Sequence, residues 1–394
     1  MRIKSHFSGK QKYLSGKRIL PKPISSHTDV VSLIENLDAY NGGRLRAACE
    51  LLVQKYADEN VTIGLSLAGA LTPAGLGPSA IIPLMNHGFV DWITATGANM
   101  YHDLHFAFNL PLHRGSPDVD DADLRKKGVV RIYDILFDHA SILLETDKRL
   151  QYILLRPEFQ KEMGTREFYY LLGKVVNEYE QKNGFGQVSI LAAAYRNDIP
   201  IFTPAPGDST IGMNIASLEL LAEAAKLTQK FRLKINPSRD VNESTAIVWN
   251  AKSRRDGKSA VILLGGGSPK NFMLQTEPQL QEILMLPEKG HDYDINITDA
   301  RPDTGGLSGA PPREAASWGK IDPEKIEESV TVYVDVTVAF PLMVAYVLQK
   351  TKPKRLKRLG SQMDTLYEAL RNAYLKKGKE VKKWKTEMEK LEGK

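Results

Sequence analysis

S-A-V-I-L-L-G-G-G, residues 259–267, is an apolar run without polar alternation that stops at three glycines. A strand with one wet face alternates apolar and polar residues. A strand buried on both faces, as in a parallel sheet covered by helices, reads as continuous hydrophobic sequence. Six further runs read as strands: V-T-I-G-L-S-L (61–67), V-D-W-I-T-A-T (90–96), P-I-F-T-P (200–204), A-I-V-W-N (246–250), D-I-N-I-T (294–298) and V-T-V-Y-V-D (330–335). Helical patterns lie between them over 44–56, 166–179 and 218–230. This alternation predicts an α/β fold, a Rossmann-like central parallel sheet flanked by helices, in one large domain over residues 25–349.

The composition, 42% hydrophobic and 25% charged over 394 residues, is that of a soluble globular protein. The single cysteine, Cys49, excludes an intramolecular disulfide framework and cysteine-rich zinc sites, and fits a reducing cytoplasm. It lies on an apolar-periodic helix and reads as a small core residue. The most hydrophobic stretch, 330–348, is interrupted by Asp335 and Pro341, so it reads as a buried strand followed by a helix and not as a membrane span.

The net charge of +6 is unevenly placed. Residues 1–24 hold seven Lys/Arg and no acid. They read as a basic N-terminal arm, a composition that a transit peptide shares, without the apolar core of a secretory signal. Residues 350–394 hold 15 Lys/Arg against 6 Asp/Glu and read as a basic, helical, solvated tail. That leaves residues 25–349 at −10, compatible with cationic substrates. Nucleic-acid contact is not expected: the tail alone has the charge for it, and a solvated helix is the simpler reading of that tail.

Chemistry concentrates in R-P-D-T-G-G-L-S-G-A-P-P-R-E-A-A-S-W-G-K-I-D (301–322), an irregular Gly- and Pro-rich loop. A short helical turn at Glu314–Ala316 delivers Trp318, Gly319 and Lys320. A lysine between a large aromatic and an apolar residue can be desolvated, which favours the neutral amine that attacks carbonyl or imine carbon. Taken alone, the residues favour a solvated surface lysine beside a buried tryptophan. Ligands of parallel α/β sheets collect at the carboxyl ends of strands, where Thr96–Gly97, Pro204–Asp208 and Gly265–Gly267 fall. The glycine run is not the G-x-G-x-x-G fingerprint and alone is a tight strand exit. His102, Asp103, His105 and His113 match no standard zinc spacing, and no metal site is expected.

S-W-G-K-I (317–321) is joined, in order along the chain, by V-D-W-I-T-A-T-G (90–97), L-R-K-K-G-V-V-R-I-Y-D (124–134), F-T-P-A-P-G-D (202–208), I-L-L-G-G-G (262–267) and Y-V-D-V-T-V-A-F-P (333–341). This collinear set, spanning about 30 to 350, strongly resembles deoxyhypusine synthase. The resemblance implies one catalytic domain, NAD as cofactor, an amine substrate, a cytoplasmic location and a homotetramer with active sites at subunit interfaces. It implies that Lys320 forms a covalent imine with an aminobutyl fragment, with Trp318 excluding water and Glu314 or His102 carrying protons. It assigns Thr96, Gly97, Asp208, Gly265, Gly266, Gly267, Ala300 and Asp335 to the dinucleotide, and Met213, Asn271, Gln275, Gly305, Leu307 and Ser308 to the substrate.

The departures bear on substrate. Met213 and Leu307 stand where the family has aspartate, Asn271 where it has its key histidine, Gln275 where it has asparagine, and His102 where it has glutamate. A dication without carboxylate partners is left uncompensated, at about 1.5–3 kcal/mol per lost charged contact. The sequence thus reads as an NAD-dependent transferase moving an alkylamine group through a lysine imine, its donor not held in the family's usual manner. An alternative acceptor is a free diamine or a guanidino compound. The rival readings are authentic deoxyhypusine synthase, transferring aminobutyl from spermidine to a translation-factor lysine, and a non-catalytic NAD-binding or tail-mediated interaction protein.

Overall fold

A computed structural model describes residues 18–20, 22–184 and 186–392. The basic arm expected over 1–24 falls mainly outside them. Six strands, numbered in chain order, form the central sheet: β1 (Val61–Leu67), β2 (Trp92–Ala95), β3 (Ile201–Phe202), β4 (Lys258–Leu264), β5 (Tyr293–Ile297) and β6 (Ser329–Val332). They are all parallel, in the order β6-β5-β4-β1-β2-β3. Every residue of β1 is buried, with Val61, Ile63, Leu65 and Leu67 on one face and the small residues Thr62, Gly64 and Ser66 on the other. The α/β class, the parallel sheet and the single domain are as expected.

The helices that matter below are α1 (Gly97–Ala107), α2 (Thr165–Asn183), α3 (Thr210–Ala224), α4 (Pro237–Ser253), α5 (Ser268–Leu274), α6 (Pro312–Ser317), α7 (Val336–Lys350), α8 (Met363–Leu375) and α9 (Gly378–Glu392). Successive residues of a strand point to opposite faces. Ile63, Leu65, Ile262 and Ile295 join one core with Leu104 of α1, Leu172 of α2 and Phe340 of α7. Trp92, Val261 and Leu263 join a second core with Ile247 of α4, Met273 of α5 and Leu366 of α8. The chain runs from β1 to β2 and β3, then returns to the other side of β1 for β4, β5 and β6. The strand order therefore reverses between β1 and β4, where such sheets open a crevice at their carboxyl ends.

One expected strand is a helix. A-I-V-W-N (246–250) lies inside α4, which Asn236 caps by accepting from the amides of Ser238 and Arg239, with Pro237 in the first turn. Ala246, Ile247 and Val248 are all buried because α4 is covered by the sheet on one side and α8 on another. A helix sheltered on two sides loses its polar stripe, and its short apolar run mimics a buried strand. The run 330–335 also divides: β6 ends at Val332, and Asp335 caps α7 by accepting from the Thr337 amide at 2.8 Å.

The segment read as a solvated tail is helical only from Met363 onward, and its first half is built into the fold. Leu359, Met363, Leu366 and Leu370 are buried against α4. Lys354, 6% exposed, donates from Nζ to the Tyr56 carbonyl at 2.7 Å. Lys357 donates to the Val61 carbonyl at 2.6 Å and pairs with the buried Asp91 at 3.2 Å. Part of the positive charge is thus consumed inside the molecule, where the sequence shows only a basic run. Cys49 is buried, as its helix implied. Among the described residues, no helix is long and apolar enough to cross a membrane.

Candidate active site

The loop after β5 is drawn back to the sheet by α6. Pro312 opens that helix, and Gly319, at φ +67°, ends it: the amides of Gly319 and Lys320 donate to the carbonyls of Ala316 (3.0 Å) and Ala315 (3.0 Å). The Gly319 carbonyl accepts from the Gln281 side-chain amide at 2.7 Å, and a Cβ on this glycine would overlap Gln281. The Lys320 carbonyl accepts from the His291 amide at 3.0 Å, and Ile321 bridges to His291. The backbone of Lys320 is therefore fixed on both sides.

Its side chain enters a cavity of about 300 Å³. Nζ donates to Asn271 Oδ1 at 2.8 Å and lies 5.7 Å from the centre of the Trp318 ring. Burial lowers the Lys320 pKa from the ordinary ammonium value, while the nearby Glu314 carboxylate raises it. The residues alone favoured an exposed lysine beside a buried tryptophan, and the structure reverses this. Lys320 is half-buried, whereas Trp318 is 60% exposed and meets the ammonium with its face. The desolvation comes instead from Leu274, Leu307 and Ala310, which line the same cavity.

Six expected site residues meet here: Lys320, Trp318, Glu314, Asn271, Gln275 and Leu307. A further polar group, Lys270, joins them. It is 4% exposed and donates to the Ala310 carbonyl at 3.1 Å. Burial lowers its pKa; Asp294, itself pushed up to about 7 by burial, opposes that effect, and Lys320 adds to it. The available signal was a cation in the first turn of α5, set against the helix dipole. Asn271, Gln275 and Leu307 also line a larger adjoining chamber of about 580 Å³.

The residues expected at the dinucleotide lie in a row along the carboxyl edge of the sheet. Asp335 follows β6, Ala300 follows β5, Gly265–Gly267 follow β4, Thr96 and Gly97 follow β2, and Asp208 follows β3. Thr96 caps α1, accepting from the Asn99 amide and donating to the Gly69 carbonyl at 2.6 Å. Gly266 lies so close to Ser308 that a Cβ would overlap it, so this glycine joins the β4 turn to the Lys320 loop. Asp335, expected to interrupt a strand, is exposed at a helix start.

Three expected residues lie apart from the Lys320 cavity within one chain. His102 packs against Phe137 and meets His105 Nε2 at 3.1 Å; burial lowers its pKa to about 4 and that of His105 to about 3. Met213 is 66% exposed on α3, and Gly305 is exposed on the loop. Among the described residues, no group of three or more His, Cys, Asp or Glu side chains could hold a metal ion.

The family model for deoxyhypusine synthase matches residues 29–347. The chain belongs to the deoxyhypusine synthase family. Membership places it in a family of transferases. It is 51% identical over 361 residues to a "Deoxyhypusine synthase-like protein" of Nostoc punctiforme, covering 91% of this chain and 90% of that one. A protein of the same description from Thermosynechococcus vestitus is 50% identical over 360 residues, covering 91% and 88%. A "Probable deoxyhypusine synthase 2" of Methanosarcina acetivorans is 37% identical over 326 residues, covering 82% and 86%. The Lys320 cavity and the strand-end row both lie within the part of the chain matched to deoxyhypusine synthase, except that α8 and α9 follow it.

Proposed function

We propose that this chain is an NAD-dependent transferase that carries an alkylamine group on Lys320 and delivers it to an amine acceptor. The observation that carries this reading is Lys320 itself, half-buried, with its pKa lowered by burial and its Nζ held 2.8 Å from Asn271 Oδ1. The glycine turn after β4 and the polar residues at the neighbouring strand ends suit a dinucleotide lying along the sheet edge. Thr96, Gly97, Asp208, Gly265, Gly267, Ala300 and Asp335 would hold it. Bound NAD supplies a hydride acceptor and donor, so that the amine carbon reaches the imine level and the product is reduced again without net redox change.

Lys320 contributes the covalent work. Its neutral nitrogen forms a bond to the imine carbon as the bond to the donor's departing amine breaks, and that amine leaves with a proton. The acceptor nitrogen then bonds to the same carbon and the bond to Lys320 breaks, which regenerates the free lysine. Glu314 is the carboxylate of the cavity and the candidate proton carrier. Trp318 shields the imine, and its exposed edge supports completion of the wall by a second copy of the chain. A homotetramer would likewise give His102 and Met213 a route to a neighbour's cavity. Asn271, Gln275 and Leu307 are uncharged, which argues against spermidine held in the usual manner of deoxyhypusine synthase.

The test is capture of labelled amines by borohydride in the presence of NAD. Labelling is expected to depend on NAD and to rise with pH through an apparent pKa below the ordinary lysine value, because the neutral amine is the reactive form. Glu314→Gln removes the charge that favours the ammonium. The labelling profile should therefore move to lower pH, even though turnover falls by about 10²–10⁴-fold if Glu314 moves protons. A profile that stays in place would remove Glu314 from the electrostatics of Lys320.

A further inference from the structure

The positive charge of residues 352–362 is only partly spent inside the molecule. Lys354 and Lys357 donate to the Tyr56 and Val61 carbonyls, Lys357 also pairs with Asp91, and Arg358 donates to the Arg196 carbonyl at 3.2 Å. Arg355 is different. Among the described residues its guanidinium meets no acceptor, and only its amide is engaged, donating to Glu59 Oε1 at 3.3 Å. The side chain of Arg254, just past the end of α4, likewise has no partner among the described residues.

Both arginines line one hollow of about 300 Å³, with Glu59, Lys357 and an apolar wall from Leu356 and Leu359. It lies at the amino ends of β1 and β4, which Glu59 and Arg254 shortly precede. The glycine turn and the rest of the strand-end row are at the opposite ends of the strands, and the hollow shares no residue with the Lys320 cavity. Arg254, Arg355, Lys357 and Lys354, which shares the Val61 carbonyl with Lys357, stand against two carboxylates, Glu59 and Asp91. The crowding is felt locally: burial, with the Lys357 charge adding to it, lowers the Lys354 pKa to about 8. A surplus of two positive charges is matched by a phosphate dianion and not by a single carboxylate. Guanidinium groups also present paired N–H donors that suit phosphate oxygens.

We propose that this hollow binds a phosphate group, free or borne by a small molecule, between Arg254 and Arg355. The inference is independent of the transferase reading. The volume is at the lower end of the roughly 300–1,000 Å³ found for small-molecule sites, so it suits a phosphomonoester and not a dinucleotide. Arg254 ends α4 and Arg355 belongs to the segment that leads into α8, so the bound phosphate braces α8 against α4.

The full chain is titrated calorimetrically with inorganic phosphate, ribose 5-phosphate and acetate, with and without NAD. Both phosphates should bind at one site per chain whether or not NAD is present, with acetate at least about tenfold weaker. Arg254→Gln and Arg355→Gln should each weaken phosphate binding about ten- to hundredfold. Without phosphate their melts should match that of the unaltered chain, because both side chains are exposed and unpaired. Phosphate should raise the melting temperature of the unaltered chain and not that of the doubly substituted one. Tighter binding of ribose 5-phosphate would place an organic group against Leu356 and Leu359, and equal binding would make the free ion the ligand; either supports the site. Phosphate binding that survives both substitutions, that NAD displaces, or that acetate equals would overturn the assignment.

Discussion

Lys320→Ala should reduce turnover by roughly a thousandfold or more and abolish borohydride labelling, because it removes the atom that bonds to the transferred fragment. Lys320→Arg should be equally inactive. It retains charge and length, but a guanidinium remains protonated and forms no imine. The pair separates nucleophile from counter-charge: a merely electrostatic Lys320 would be rescued by arginine. NAD affinity, measured by fluorescence or calorimetry, should stay within a few-fold in both variants, since none of the residues assigned to NAD lines the Lys320 cavity. Loss of NAD binding alongside labelling would instead point to collapse of the 301–322 loop.

The second large effect concerns stability. Ending the chain after Lys350 removes Leu359, Met363, Leu366 and Leu370 from the core beneath α4, together with the Lys354 and Lys357 anchors. At about 1.5–3 kcal/mol for each buried side chain, the four apolar residues alone contribute roughly 6–12 kcal/mol. That rivals the whole stability of a typical domain, about 5–15 kcal/mol. The truncated chain should fail to fold, seen as insoluble expression or loss of a cooperative melt. Ending it after Lys377 removes only α9, whose Trp384, Met388 and Leu391 are exposed, and should leave the melt nearly unchanged. Removal of residues 350–394 therefore cannot test a tail-mediated interaction, because it dismantles the α4 face as well.

Much of the sheet was legible because 260–264 of β4 is an unbroken apolar run, while β1, β2 and β5 are short runs rich in β-branched and aromatic residues. The same logic misread A-I-V-W-N, since α4 is enclosed by the sheet and by a helix more than a hundred residues later. No local pattern carries that information. Lys354 and Lys357 were misread for the opposite reason: charge suggests solvent, but long aliphatic stems bury easily when carbonyls such as those of Tyr56 and Val61 receive the ammonium.

At the site, the collinear motifs identified Lys320, Glu314 and Trp318, and the cavity gathers them with Asn271, Gln275 and Leu307. The protection of Lys320 was not legible, because its apolar surroundings come from α5 and the loop while the adjacent tryptophan faces outward. Lys270 escaped notice because its neighbour Asn271 occupied the informative position. The adjoining chamber could not be read either, because its lining comes together only when α4 packs beside the turn after α5.

Two lysines line the same cavity, so the most direct measurement is the position of the covalent adduct. The protein is incubated with NAD and each of a panel of labelled amine donors, reduced with borohydride, digested, and mapped by mass spectrometry. A saturated alkylamine should be found on Lys320, with Lys270 unmodified and no adduct when NAD is omitted. An adduct on Lys270, or none at either lysine under conditions in which the chain binds NAD and turns over, would contradict the account.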